Sequence, residues 1–184
     1  MDLVAVGSED LELLLDLLNT TPVVDGVARD GLAQPKAARA WMRAHGIAPT
    51  DAELAALLNA RSVLQRVVRG EQTPAAVQRF LEPVILRPTA SRDGVDWRLT
   101  VDKSPKGAVR AVLAWDALRV SSPGRLRSCA NTECRLFLID RSKPNTARWC
   151  SMAICGNRMK ARRHYRRAHP TEPDMVRRSL SEGV

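Results

Sequence analysis

The chain has 184 residues and a mass of 20.3 kDa, enough for one ordinary domain or for a domain plus a small module that leans on a metal. Its 29 lysines and arginines outweigh 20 acids to give a net charge of +9, and its four cysteines all lie between positions 129 and 155. No basic stretch followed by an apolar run opens the chain, and Glu12 and Asp16 interrupt the leucines of 11–18, so neither a signal peptide nor a membrane span is expected and the protein reads as cytoplasmic.

Leu11, Leu14, Leu15 and Leu18 recur at helical spacing, with Leu13 and Leu17 widening the apolar face, and predict a helix over 10–19. Residues 26–31 lack periodicity and read as a loop, one that Asp25 and Asp30 suit to closing over a ligand. Residues 35–45 predict a second helix, with Pro35 near its start, Trp41 on its inner side and Gly46 as its stop. Thr50-Asp51-Ala52-Glu53 has the pattern of a capping box and opens a long helix to Arg69, ended by Gly70. After a short helix begun by Thr73-Pro74, residues 84–87 and 95–101 predict two strands joined across Ser91 to Gly94. Helical spacing resumes over 107–120 with Ala111, Ala114, Trp115 and Leu118, and Ser121-Ser122-Pro123-Gly124 breaks it as a linker. The fold expected is α+β and mainly helical: a helical first domain over 1–124 with an inserted β-hairpin, a small cysteine-bearing module over 125–169 built as a treble-clef-like or knuckle-plus-helix unit, and a tail over 170–184.

Charge divides the chain at the same place. Residues 1–124 hold fifteen basic and fifteen acidic residues, whereas 125–169 hold twelve basic residues against Glu133 and Asp140. So basic a module attracts polyanions, of which nucleic acid is the commonest.

Within this module the spacing Cys129-x4-Cys134-x15-Cys150-x4-Cys155 supplies two pairs of soft ligands, the arrangement that a tetrahedral zinc ion takes. Two disulfides or scattered core thiols are the alternative, and no secretory feature supports oxidation. With four cysteines on one structural Zn2+, His164 and His169 are left for phosphate contacts. Residues 135–140 predict a short strand, 142–146 a loop, and Trp149 a packing partner for Phe137 rather than a base-stacking platform. Cys155 is placed at the start of a helix to about His169, where exposed amides and the helix dipole favour a thiolate. Along that helix Arg158, Arg162, Tyr165 and Arg166 fall on one stripe, and Lys160, Arg163 and Arg167 on another. Arg127, Arg135, Arg148 and Arg158 are also suited to offsetting the charge of four thiolates on zinc.

Trp149-Cys150-Ser151-Met152-Ala153-Ile154-Cys155-Gly156-Asn157-Arg158-Met159-Lys160, together with Cys129 and Cys134 upstream and the basic helix beyond, resembles the CGNR zinc finger, named for the tetrapeptide at 155–158. The first domain is similar to the ABATE domain that precedes this finger in bacterial proteins, through Leu15-Asp16-Leu17-Leu18-Asn19-Thr20 and through Ala40-Trp41-Met42 before His45-Gly46. The resemblance implies a stress-linked bacterial transcription regulator with a ligand-sensing or dimerising first domain and a DNA-binding finger. It implies zinc on Cys129, Cys134, Cys150 and Cys155, and roles for Gly156, Asn157 and Arg158. Gly156 is read as permitting close packing near the metal. Asn157 is read first as structural and second as a phosphate contact, and Asn19 as a helix-end cap before a ligand contact.

The expectation drawn together is a homodimeric regulator that binds double-stranded DNA through Asn157, Arg158, Lys160, Arg162, Arg163, Arg166 and Arg167 and takes a small-molecule effector in its first domain. RNA binding and a thiol-based redox or zinc sensor are the competing readings. No nucleophile with its base, no carboxylate pair and no open zinc position is legible, so an enzyme is not expected.

Overall fold

The computed structural model describes residues 6–101 and 105–169; the tail expected over 170–184 lies outside them. Three helices form the centre: α1 (Ser8–Leu18), α3 (Asp51–Val68) and α5 (Lys106–Ser121) pack on one another, while α2 (Pro35–Ala44) adds Ala38 and Met42 to their core. The buried face of α1 is Leu13, Leu14, Leu17 and Leu18, a stripe turned slightly from the one predicted, because α1 is held by both α3 and α5. Leu11 and Leu15 lie at its half-buried margins; Trp41 of α2 is likewise half-buried, and Met42 takes the inner position there.

Helix ends as well as helix faces hold this bundle. The Thr50 hydroxyl accepts from the Glu53 amide at 3.2 Å, as the capping pattern predicts. The Glu53 carboxylate does not complete the box. It reaches across to accept from the amides of Lys106 and Gly107 at 2.8 and 3.1 Å, satisfying the otherwise orphaned first turn of α5 from another helix.

The segment read as a ligand-closing loop is instead a tied-down hairpin, and this corrects that expectation. β1 (Val23–Val24) and β2 (Val27–Ala28) pair around Asp25-Gly26, whose φ values of 52° and 77° suit the tight turn that aspartate and glycine favour. Asp30 then receives two hydrogen bonds from the Arg61 guanidinium, at 2.8 and 2.6 Å, while Arg61 also donates to the buried Thr20 hydroxyl at 2.7 Å. The Arg61 hydrogen bond is the chief reason that the Asp30 carboxyl is held below its usual value, against the opposing effect of burial.

A 3-10 turn (Pro74–Val77) and the short α4 (Gln78–Leu81) lead into the predicted hairpin, which is longer than expected: β3 (Val84–Ser91) pairs with β4 (Gly94–Val101) in one register from Val84 and Val101 to Ser91 and Gly94. Pro88 does not end β3, since an edge strand tolerates proline where its nitrogen faces outward. No helix among the described residues is long and apolar enough to cross a membrane.

Beyond Gly124 the chain turns back onto the bundle. β5 (Leu126–Ser128), which its composition did not reveal, pairs with β6 (Phe137–Ile139), and Phe137, 1% exposed, belongs to the same buried cluster as the leucines of α1. Asn19 ends α1 at φ −94°, so it is not the left-handed cap expected, and its side chain does a different job. Its oxygen accepts from the Phe137 amide at 2.7 Å, and its nitrogen donates to the Phe137 carbonyl at 3.2 Å. Arg69, past the end of α3, lies 4.6 Å from the Phe137 ring centroid and donates to the Arg135 carbonyl at 3.0 Å. The partner of Phe137 is thus the helical bundle, not Trp149.

Candidate metal centre

The turn between β5 and β6 carries the first cysteine pair. Cys129 donates its amide to the Leu136 carbonyl at 2.8 Å, continuing the strand pairing, and the Cys134 amide bonds back to the Asn131 carbonyl at 2.8 Å, which closes a tight knuckle. The second pair follows the 142–146 loop. Asp140, 2% exposed, shapes that loop by accepting from the amides of Ser142 and Ala147 at 2.8 and 2.7 Å, with Arg127 alongside at 3.5 Å. These partners, the Ser142 side chain foremost, keep the Asp140 carboxyl below its usual value despite the opposing effect of burial. Arg127 also bonds Asn145, so it serves this loop.

All four sulfurs come together, each within 4.8 Å of every other, with Cys134 to Cys150 and Cys150 to Cys155 both at 3.7 Å. A tetrahedron with zinc–sulfur bonds of about 2.3 Å has edges of about 3.8 Å, whereas a disulfide would bring two sulfurs to about 2.0 Å. The spacing fits a four-thiolate zinc ion and no disulfide. Two donors already point at the sulfurs: the Leu136 amide toward Cys134 at 3.5 Å, and the side-chain amide of the fully buried Asn131 toward Cys155 at 3.6 Å. Such N–H groups suit thiolates, and orient and tune metal ligands.

Burial, followed by the neighbouring thiols, pushes the Cys150 thiol well up; burial also raises Cys134. At Cys155 burial acts upward too, but hydrogen bonds from Asn131 and the other cysteines outweigh it and bring the thiol down. Sulfurs this close cannot all ionise without a cation among them, so metal binding here displaces protons. Asn131 was not singled out from the sequence, although an Asn between two ligands in a short turn is the available sign: its side-chain oxygen also accepts from the Glu133 amide at 3.3 Å.

Cys155 sits in a π-helical turn (Met152–Gly156) that runs directly into α6 (Asn157–Ala168), so the last ligand and the basic helix share one continuous backbone. The turn opens with the Ser151 hydroxyl accepting from the Ile154 amide at 3.3 Å. Gly156 has ordinary helical angles, and its smallness serves packing: an added Cβ would lie 2.9 Å from the Met152 side chain and 3.3 Å from the Trp149 ring. Trp149 packs here, with Arg148 over its ring at 5.3 Å.

Of the residues expected to meet nucleic acid, Arg158, Lys160, Arg163, Arg166 and Arg167 lie exposed along α6. Arg162 is half-buried and donates to Glu133 at 2.5 Å, which ties the helix to the knuckle. The Asn157 side chain bonds back to the Ala153 carbonyl at 3.2 Å within its own helix. His169 stacks against Tyr165 at 4.6 Å and is not part of the sulfur cluster.

Comparison with known families gives two matches. The CGNR zinc finger matches residues 125–168, and the ABATE family, described as "Putative stress-induced transcription regulator", matches residues 11–122. No curated protein matches the chain. The second match takes in more than half of the residues, and the first falls on the four cysteines whose sulfurs converge. The chain belongs to the ABATE family and joins to that domain a CGNR zinc finger, which makes it a zinc-binding regulatory protein.

Proposed function

We propose that this is a cytoplasmic, homodimeric bacterial transcription regulator that binds double-stranded DNA through α6. One structural zinc ion on Cys129, Cys134, Cys150 and Cys155 holds the helix in place, and the helical part receives a small-molecule effector and dimerises. The observation that carries this reading is α6 itself, twelve residues long with none buried, six of them basic and none acidic. Like charges at helical spacing repel one another, and a line of phosphates relieves the repulsion while releasing counterions. Zinc with four thiolates has no open position for water or substrate, in keeping with a regulator rather than an enzyme.

With Arg162 engaged by Glu133, phosphate contact falls to Arg158, Lys160, Arg163, Arg166 and Arg167. Affinity of the zinc-loaded protein for duplex DNA should fall steeply with salt. Replacing Arg163 and Arg167 by alanine should reduce the log–log slope by about 1.8, at about 0.9 per phosphate contact. A slope that does not change moves the interface off α6. Tighter binding to single-stranded RNA in the same titration replaces DNA with RNA as the partner.

A further inference from the structure

Among the described residues β3 and β4 form an isolated two-stranded sheet: neither strand lies along another element, and no residue of 84–101 belongs to the buried core. A lone hairpin of this kind is marginal in water. Cross-strand partners share a face, and on one face the four pairs from Val84–Val101 to Ala90–Val95 are wholly apolar. The pairs nearest the body are half-buried, but toward the tip Trp97 and Val95 remain 43% and 63% exposed.

The two outer edges differ. Proline has no N–H, so Pro88 and Trp97 form a pair that is not hydrogen-bonded, and the main-chain groups of Trp97 point away from β3. The β3 edge lacks a donor at its centre, whereas the β4 edge presents both donor and acceptor there. We propose that a second copy of this chain pairs its β4 with this β4 about a twofold axis at Trp97, making one four-stranded antiparallel sheet.

Charge selects this register. Placing the axis at Trp97 sets Asp96 of each copy opposite position 98 of the other, an acid opposite a base at both ends, and sets Val95 opposite Leu99 on the apolar face. Moving the axis to position 96 or 98 would oppose two acids or two bases. The antiparallel arrangement also brings each exposed tip beside the half-buried base of the other hairpin. This inference rests on the homodimer proposed above and names its interface.

The test is the mass of the full, zinc-loaded chain by sedimentation at micromolar concentration. Asp96→Arg and Arg98→Asp should each weaken the dimer by about tenfold or more, since each sets like charges opposite at both pairs. The double variant should restore it. Mixing the two single variants should also produce a dimer, because the arginine introduced in one chain then faces the aspartate introduced in the other, while the unaltered acid and base face each other at the second pair. A variant that merely misfolds cannot be rescued this way. A dimer indifferent to both charges, or no rescue on mixing, overturns the hairpin interface while leaving a dimer in place; a monomeric wild type overturns both.

Discussion

Glu53 and Gly107 meet in a tightly packed corner of the helical bundle. Gly107 lies in the first turn of α5 beside the Glu53 carboxylate, and an added Cβ would lie 2.8 Å from the end of Ile47 and 3.2 Å from both Glu53 and Leu57. Gly→Ala in an exposed helix ordinarily stabilises by up to about 1 kcal/mol. Here the overlap with buried side chains reverses the sign, and Gly107→Ala should cost about 1–3 kcal/mol, read as a lower urea midpoint at unchanged m. The contact also marks a boundary of sequence reading. Thr50-x-x-Glu53 names a helix start, yet it does not say whose amides the carboxylate satisfies, because Lys106 and Gly107 are some fifty positions away. Asn19 and Asn131 share that difficulty, since each is a polar side chain with a partner far along the chain that the tertiary fold chooses.

Periodic elements were legible in the sequence, and so were the short helix after Thr73-Pro74 and the three-residue β6, whereas β1, β2 and β5 were not. The apolar spacing of α5 reports its buried face directly and that of α1 to within a slight turn, and the Cys spacings report the metal site. β5 has a single leucine among three residues and exists only because β6 and the knuckle between them hold it in register. α6 is the opposite case, legible as a helix but unable to account for its own stability. Twelve residues with no buried side chain and repelling charges make a marginal helix, and its described anchors are the turn through Cys155 and the Arg162–Glu133 pair. Stripping zinc with a chelator should therefore melt α6 first. Amide hydrogen exchange should lose protection over 157–168 while that of α3 and α5 persists, and protection in α6 that survives chelation would show that the metal is not its anchor.

At the scale of the whole molecule, sequence boundaries and packing boundaries do not coincide. The family matches meet near 122–125, and so does the change from neutral to basic composition, but the core runs through that point. Phe137 comes from the finger and is buried among residues of the bundle, and Leu126 and Ile139 pack against the same core. Phe137→Ala should cost about 3–5 kcal/mol of stability measured by urea unfolding of the zinc-loaded chain, a loss that a finger merely tethered to the bundle would not produce. The linker is easy to see because Pro and Gly punctuate it; the contact across it is not, because nothing in Asn19 or Phe137 alone says that they meet.

That meeting has a further consequence. Asn19 offers Phe137 one donor and one acceptor from a single planar amide, as a peptide group of an adjoining strand would. The end of α1 is in effect a one-residue third strand of the finger's sheet, supplied by a side chain. Orientation therefore passes from bundle to finger through this amide plane together with the buried Phe137 ring and the Arg69 contacts, and not through the linker of 122–124 alone. Any movement of α1 along its axis would be felt at β6, and from there at the knuckle, as a change in the pitch of α6 against whatever it grips.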